Sequence, residues 1–263
     1  MVPRILVLPG YTQNAVILSG RMGALRRTLK DSADLVFVDP THVVEVPTES
    51  AADFKDKFDS DASSAPTNAA DTPRAWWFAE TSSDGHYRKF LKFDETLRNL
   101  RDILEKQGPF DGVFGFSQGA AAGAILAALC ENPQLDPIFA APPADSSVAW
   151  PHPPLKFAIL SAGFFPLDPK VSAYFDTKLK TPSLHVLGRG DTIVGEERSV
   201  PLTQRFENAR VEWHDGGHHT PSKASWRRFF QAYIEAFGKA NGAEEAAALP
   251  SPSEGAVDDG GKL

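Results

Sequence analysis

The chain has a single cysteine, two methionines and no long hydrophobic run among its 263 residues. Because a disulfide needs two cysteines, Cys130 cannot form one within the chain, and its Ala-rich apolar surroundings predict a side chain packed in the core. No apolar stretch approaches the roughly 20 residues that span a bilayer, and a strand-like segment begins at residue 5, so we expect neither a membrane span nor secretion. The predicted location is the cytoplasm, a reducing compartment, with the nucleus as the alternative.

Positive charge is also scarce. Lys and Arg together number 27 against 34 Asp and Glu, which gives a formal net charge of -7. Nucleic-acid sites need clustered Lys and Arg to displace phosphate counterions, so we exclude nucleic acid as a partner. The same composition offers no obvious basic cradle for the phosphates of coenzyme A. We expect the partner to be a small or apolar molecule.

Short β-branched segments alternate with longer helical patterns along residues 1–238, which predicts one α/β domain. Its sheet should be mostly parallel, with helices on both faces. The predicted strands are residues 5–8, 35–38, 112–116, 157–161, 183–187 and 210–214. The predicted helices, which carry apolar residues at three- and four-residue spacing, are residues 15–30, 93–107, 119–131 and 222–237.

Three segments depart from this alternation. Residues 47–92 are polar but contain Trp76, Trp77 and Phe78, which predicts an insertion or lid over the active site with these three aromatics as substrate-binding residues. The alternative is that the aromatics are ordinary core. Residues 132–154 are rich in proline and are a candidate for the other wall of a cleft. Residues 239–263 have almost no large apolar side chains, which predicts a disordered tail.

A Gly-x-Ser-x-Gly motif occupies residues 115–119. Its composition alone would give roughly a one-in-ten chance match in a chain of this length. However, it follows a predicted strand and precedes an Ala-rich helix, as a nucleophile elbow requires, so Ser117 is the predicted nucleophile. A side chain at Gly115 or Gly119 would clash with the neighbouring strand or helix. The backbone N–H of Gln118, at the helix start, is the predicted first oxyanion donor.

An acid and a histidine should follow the serine, each after a later strand. Asp191 comes directly after strand 183–187, and we prefer it to Asp168, which we interpret as a turn residue. The histidine follows the last strand, and two glycines before His218 free the backbone to bring its ring to the serine; His214 and His219 are the alternatives. No Cys or acidic ligand set at the usual spacing accompanies these histidines, so we predict neither a metal nor a cofactor.

These residues together predict acyl transfer. His218 would take the Ser117 proton as the serine attacks a carbonyl, Asp191 would orient the imidazole, and water would release the acyl-enzyme. The second oxyanion donor should come from the loop after the first strand, where the N–H of Tyr11 is the candidate. The alternative is that this loop only connects a strand to a helix.

The sequence resembles the fungal and animal serine-hydrolase family called FSH, which includes the ovarian tumour-suppressor-candidate hydrolases. The resemblance is carried by residues 8–14 (LPGYTQN), 74–77 (RAWW), 108–120 (GPFDGVFGFSQGA), Asp191-x-x-Val194 and 214–221 (HDGGHHTP). Relatives usually have His-Gly where this chain has Pro9-Gly10.

The resemblance implies the α/β-hydrolase fold, Ser117, Asp191 and His218 as the triad, and a carboxylic ester or thioester as the small-molecule substrate. Some fungal members of the family release polyketide chains from their synthases, so an acyl thioester on a carrier domain is an alternative substrate. A binding protein that keeps the fold without turnover is a further alternative.

Overall fold

The computed structural model describes residues 2–45, 68–83, 88–143, 145, 147 and 149–253. The strands in this part of the chain are β1 Arg4–Leu8, β2 Asp34–Phe37, β3 His42–Val43, β4 Arg74–Ala75, β5 Phe78–Thr81, β6 Arg88–Leu91, β7 Gly112–Phe116, β8 Phe157–Ser161, β9 Ser183–Gly188 and β10 Ala209–His214. Six of them form one parallel sheet in the order β10-β9-β8-β7-β1-β2. These six are the strands predicted from the sequence, and the α/β-hydrolase fold is confirmed.

Helices connect the strands of this sheet. The described α-helices are α1 Ala15–Arg21, α2 Gly23–Leu29, α3 Phe93–Gln107, α4 Gln118–Glu131, α5 Pro137–Ala140, α6 Pro169–Ser172, α7 Glu196–Thr203, α8 Ala224–Ala236 and α9 Gly242–Ala248. The helix predicted over residues 15–30 is two helices, because Met22 leaves helical geometry with a ψ of 9°. No helix in the described residues is long and apolar enough to cross a membrane.

The sheet separates two hydrophobic cores, because alternate side chains of a strand point to opposite faces. On β1, Leu6 and Leu8 pack in the core that contains α3 and α4. Ile5 and Val7, on the opposite face, pack in the core that contains α1, α2 and α8. Layers on both faces leave the carboxyl ends of the strands as the accessible edge for a site.

The predicted insertion is described only in part, since residues 46–67 and 84–87 of this region lie outside the described residues. The described part forms two short antiparallel pairs, β3 with β4 and β5 with β6. The two tryptophans between β4 and β5 are buried, with 0% of Trp76 and 2% of Trp77 exposed. Both belong to the core that contains α3 and α4.

The prediction of a disordered tail from residue 239 onward was wrong for residues 242–253. Helix α9 lies in this segment, and Ala246 is buried. The Arg210 guanidinium on β10 donates to the carbonyls of Ala246 and Leu249, both at 2.7 Å. These bonds satisfy carbonyls that a helix end leaves without partners. Arg210 thereby stabilises a segment that has few apolar side chains to bury. Residues 254–263 lie outside the described residues.

Candidate active site

Ser117 lies between β7 and α4 in a sharp turn. Its backbone has φ 53° and ψ -117°, a left-handed conformation that is strained for a residue with a side chain. The turn needs both flanking glycines. A Cβ on Gly115 would lie 2.3 Å from the Gly119 carbonyl oxygen, and one on Gly119 would lie 2.1 Å from the Leu8 carbonyl oxygen. The turn therefore has the geometry of a nucleophile elbow.

Two hydrogen bonds join Ser117, His218 and Asp191. His218 Nε2 lies 2.9 Å from Ser117 Oγ, and His218 Nδ1 lies 2.7 Å from Asp191 Oδ2. The two side chains behind the serine are largely buried, with 9% of His218 and 3% of Asp191 exposed. The structure thus brings together three residues that the sequence placed after three different strands.

The loops that carry the acid and the histidine are bonded to each other through their backbones. Arg189 donates its N–H to the His214 carbonyl at 2.9 Å, and Gly190 donates to the Gly216 carbonyl at 3.0 Å. The loops also approach closely, since a Cβ on Gly188 would lie 2.4 Å from the Gly217 carbonyl oxygen. The hydrogen-bonding pattern of β9 and β10 thus continues past the strand ends and fixes the two side chains relative to each other.

Asp191 is held as a carboxylate. Burial acts to raise its pKa, but hydrogen bonds from His218 and from the Val194 and Ile193 N–H groups outweigh burial and hold the pKa below its ordinary value. The backbone bonds, at 2.8 Å from Val194 and 2.9 Å from Ile193, both reach Oδ1. The other oxygen, Oδ2, is thereby oriented toward the imidazole.

The alternative acid is engaged elsewhere. Asp168 accepts the N–H groups of Lys170 and Val171 at the start of α6 with one oxygen, and the Phe90 N–H on β6 with the other at 2.7 Å. It is a helix-capping residue, which agrees with its interpretation as a turn residue.

The alternative histidines contact each other. The rings of His214 and His219 lie 4.8 Å apart, and the His214 ring also meets Trp226 at 5.8 Å. Burial and then the neighbouring His219 lower the pKa of His214 to about 4. His219 is exposed. Of the three histidines between residues 214 and 219, His218 is the one whose ring reaches Ser117.

The loop after β1 lies against the nucleophile turn. Tyr11 lines the same cavity as Ser117 and Gln118, as an oxyanion donor would have to. Thr12, the next residue, has a left-handed φ of 66° and donates its N–H to the Arg74 carbonyl at 2.7 Å. The Pro9 carbonyl accepts the Trp76 indole N–H at 2.9 Å. The residues around β4 therefore brace this loop.

The Gln118 side chain fastens Trp76 and Trp77, the tryptophan segment, to the nucleophile turn. Its Oε1 accepts the Trp76 N–H at 2.9 Å, and its Nε2 donates to the Trp77 carbonyl at 2.8 Å. Both bonds are buried. The backbone of Gln118 thus belongs to the first turn of α4, while its side-chain amide satisfies two buried backbone groups of the tryptophan segment.

A cavity of about 340 Å³ opens over Ser117 and His218. Trp77 and Phe78, two of the three aromatics predicted to bind substrate, line it. Trp76 does not, because it is fully buried and its indole points to the Pro9 carbonyl; its prediction as a substrate-binding residue is replaced by the alternative of a core aromatic.

Sequence reasoning missed several lining residues. They are Ala79, Arg88, Phe90, Phe116, Phe164, Phe165, Leu167, Ile193, Val194 and Arg198. Phe116 could have been predicted from its place inside the Gly-x-Ser-x-Gly motif, and its ring lies 5.0 Å from that of His218. Ala79, Arg88 and Phe90 lie in the segment predicted to cover the active site, and Ile193 and Val194 closely follow the acid, but none of them was singled out as a lining residue. The remaining residues, Phe164, Phe165, Leu167 and Arg198, carry no local signal, since tertiary structure alone brings them to the cavity.

Comparison with known proteins agrees with this fold and with a hydrolase function. Residues 1–230 match the family model described as serine hydrolase (FSH1). The chain is 33% identical over 240 residues to Esterase OVCA2 of Danio rerio, covering 89% of this chain and 97% of that protein. It is 32% identical over 244 residues to Esterase OVCA2 of Homo sapiens, covering 90% and 97%.

Among solved structures, the acyl-protein thioesterase 2 of Zea mays shares the fold, with a TM-score of 0.53, 17% identity, and coverage of 90% of this chain and 94% of that one. The chain belongs to the serine hydrolase (FSH1) family and is a serine hydrolase of the esterase type, which confirms the resemblance drawn from its sequence.

Proposed function

We propose that this serine hydrolase cleaves a carboxylic ester or thioester with an apolar acyl or alkyl part, through an acyl-enzyme on Ser117. The observation that carries the proposal is the pair of bonds at His218, with Nε2 2.9 Å from Ser117 Oγ and Nδ1 2.7 Å from Asp191 Oδ2. An imidazole bonded in this way is a base toward the serine and is kept in one tautomer by the carboxylate.

The reaction has two steps. In the first, His218 takes the Ser117 proton while Oγ attacks the carbonyl carbon, and the proton then passes to the departing alcohol or thiol. In the second, His218 takes a proton from water, the hydroxide attacks the acyl-enzyme, and Ser117 recovers its proton as the acid leaves. Asp191 stays ionised throughout, consistent with its lowered pKa, and stabilises the imidazolium.

The negative charge that develops on the carbonyl oxygen needs two donors. We assign them to the backbone N–H groups of Gln118 and Tyr11, since both residues line the cavity beside Ser117. Loss of one such donor costs about 10² to 10³ in rate in enzymes of this kind. The bracing of the Tyr11 loop by Trp76 and Arg74 supports this assignment, because an oxyanion hole works only when its donors are fixed in advance.

The apolar part of the substrate is inferred from the cavity lining. Trp77, Phe78, Phe116 and Phe164 contribute aromatic surface around Ser117. A cavity of about 340 Å³ lies at the small end of the range for ligand sites, about 300–1,000 Å³. This favours a short or medium acyl group, and an acyl thioester on a carrier domain remains the alternative substrate.

The proposed place of action is the cytoplasm. Cys130 is buried, and burial raises the pKa of its thiol to about 12. With a single cysteine the chain can form no internal disulfide, as is usual for proteins of a reducing compartment.

Labelling with a fluorophosphonate probe tests the nucleophile and the base. We expect the wild type to be labelled, Ser117→Ala to be unlabelled, and His218→Ala to lose nearly all labelling. His219→Ala is the matched control, because this neighbouring histidine is exposed and should leave most of the labelling intact. No labelling of the wild type would favour the non-catalytic binding protein. Equal losses in the two histidine variants would refute the assignment of His218.

A series of p-nitrophenyl esters and acyl thioesters of increasing chain length tests the substrate. The cavity predicts an optimum at short or medium acyl groups, with activity falling once the chain exceeds the cavity. A strong thioester preference would favour release from a carrier domain. Activity that rises steadily to the longest chains would contradict the cavity argument.

A further inference from the structure

The active-site cavity contains two arginines that the proposed reaction does not use. Arg88 on β6 and Arg198 on α7 line it together with Ser117 and His218. No Asp or Glu is among the described residues that line this cavity. In a chain with a net charge of -7, a cavity lining that is charged only positively needs an explanation.

Arg198 is held in place and still has donors to spare. Its Nη1 donates to the Ile193 carbonyl at 3.2 Å, and its guanidinium lies over the Phe164 ring at 4.6 Å. Its own carbonyl accepts the Phe165 N–H at 3.0 Å. A guanidinium has five N–H donors, so one bond to a carbonyl leaves most of them for a ligand.

Arg88 is positioned by the backbone of its strand. Its N–H donates to the Leu167 carbonyl at 3.3 Å, and two residues later the Phe90 N–H donates to Asp168 at 2.7 Å. Within the described part of the chain, no carboxylate pairs with its guanidinium. Asp168, the rejected catalytic acid, therefore helps to fix the strand that brings Arg88 to the cavity.

The two charges act on each other. Burial and then the positive charge of Arg88 lower the pKa of the Arg198 guanidinium, while Glu197 and Asp191 act in the opposite direction. Two neighbouring cations that repel each other would both gain from an anion bound close to them. Arginine is the residue best suited to bind carboxylate or phosphate oxygens in pairs of parallel hydrogen bonds.

We propose that the substrate of this enzyme carries an anionic oxygen group, which binds Arg88 and Arg198 while the ester or thioester carbonyl lies at Ser117. The aromatic lining would hold the apolar segment between the two ends. This rests on the proposed hydrolytic function and narrows it: the anion is either a carboxylate at the far end of the acyl part or a phosphate of the leaving group.

Two matched substrate pairs test the proposal and distinguish these sources. The first pair is a p-nitrophenyl monoester of a dicarboxylic acid and the same ester with a methyl group in place of the free carboxylate. The second is an acyl-4'-phosphopantetheine thioester and the corresponding acyl-pantetheine thioester, which differs from it only in lacking the phosphate. We expect kcat/KM to favour the anionic member in one pair, and that pair identifies the source.

The arginine variants supply the second part of the test. We expect Arg88→Gln and Arg198→Gln each to lower the ratio of kcat/KM for the anionic substrate to kcat/KM for the neutral one by about 10- to 100-fold. This is the usual contribution of hydrogen bonds to a charged group. Arg88→Lys should retain part of the ratio because it keeps the charge. The control is Arg228→Gln on α8, which removes an exposed charge elsewhere and should leave the ratio unchanged.

Two results would overturn this inference. One is the absence of an anionic preference in both pairs. The other is an equal loss on anionic and neutral substrates in the arginine variants, which would mean that the charges serve the transition state instead. Fluorophosphonate labelling of the same preparations separates this failure from failure of the hydrolytic function, because a labelled enzyme without anionic preference refutes only the role of the arginines.

Discussion

The side chain and the backbone N–H of Gln118 have separable tasks, and a substitution can test the side chain alone. Gln118→Ala keeps the N–H assigned to the oxyanion but removes the amide that binds Trp76 and Trp77. The Trp76 N–H and the Trp77 carbonyl would then be buried without partners. Each such group costs about 1–3 kcal/mol, so the expected loss of unfolding free energy is about 2–6 kcal/mol.

Thermal unfolding measures this loss directly. For a protein of this size, about 2–4 °C of Tm per kcal/mol converts the expected loss to about 4–24 °C. Gln118→Glu provides a sharper comparison, because it keeps an acceptor for the Trp76 N–H but turns a carboxylate oxygen toward the Trp77 carbonyl. It should be at least as destabilised as the alanine variant.

The control for this prediction is Gln107→Ala, at the exposed end of α3, which should change stability by no more than about 0.5 kcal/mol. If the Tm of Gln118→Ala stayed within one or two degrees of that control, the two bonds would not fasten the tryptophan segment. The reasoning would then be refuted, whatever the variant does to activity.

Three further predictions concern the acid, the turn and the histidine loop. Asp191→Asn should lower kcat by about 10⁴ because the imidazole loses its preferred tautomer. Ester kinetics at neutral pH measure this loss, and a much smaller loss would mean that another residue orients His218. Gly119→Ala should strongly destabilise the fold, since its Cβ would lie 2.1 Å from a carbonyl oxygen. Gly20→Ala is the control: a Cβ there would have no atom within 4 Å, so the free energy of unfolding should rise by about 0.5–1 kcal/mol, and thermal unfolding measures both variants. His214 has a folded pKa of about 4, below its ordinary 6.5, so its contribution to stability should be present above pH 6.5 and disappear toward pH 4. The Tm of His214→Gln should therefore fall less between pH 7.5 and pH 4.5 than the wild-type Tm, and parallel curves would contradict this.

The central sheet was predictable because each of its strands is a short apolar segment, and such segments stand out in the sequence between the longer helical patterns. The positions of Ser117, Asp191 and His218 followed from the same pattern, since each comes directly after one of those strands. The structure adds the distances that join them, which no spacing in the sequence provides.

The features that could not be predicted depend on partners distant in sequence. Trp76 was interpreted as a substrate-binding residue because its polar neighbours suggested exposure, but Gln118 and Pro9 satisfy its polar groups and allow it to be buried. Helix α9 has too little apolar surface to be predicted as ordered, and Arg210, 36 residues before Ala246, stabilises its end. Arg88 and Arg198 belong to no motif, and only the fold brings them to one cavity.

The contact between Ser117 and His218 joins residues 101 positions apart, and three parallel strand pairings lie between the ends of β7 and β10. Pairings of this kind close long loops and form slowly during folding. A hydrolysis signal therefore requires that β7, β8, β9 and β10 are all in register. During refolding, catalytic activity should return after secondary structure has formed, and a chain shortened before residue 218 should have none. Enzyme activity thus reports the correct pairing of these four strands of the sheet.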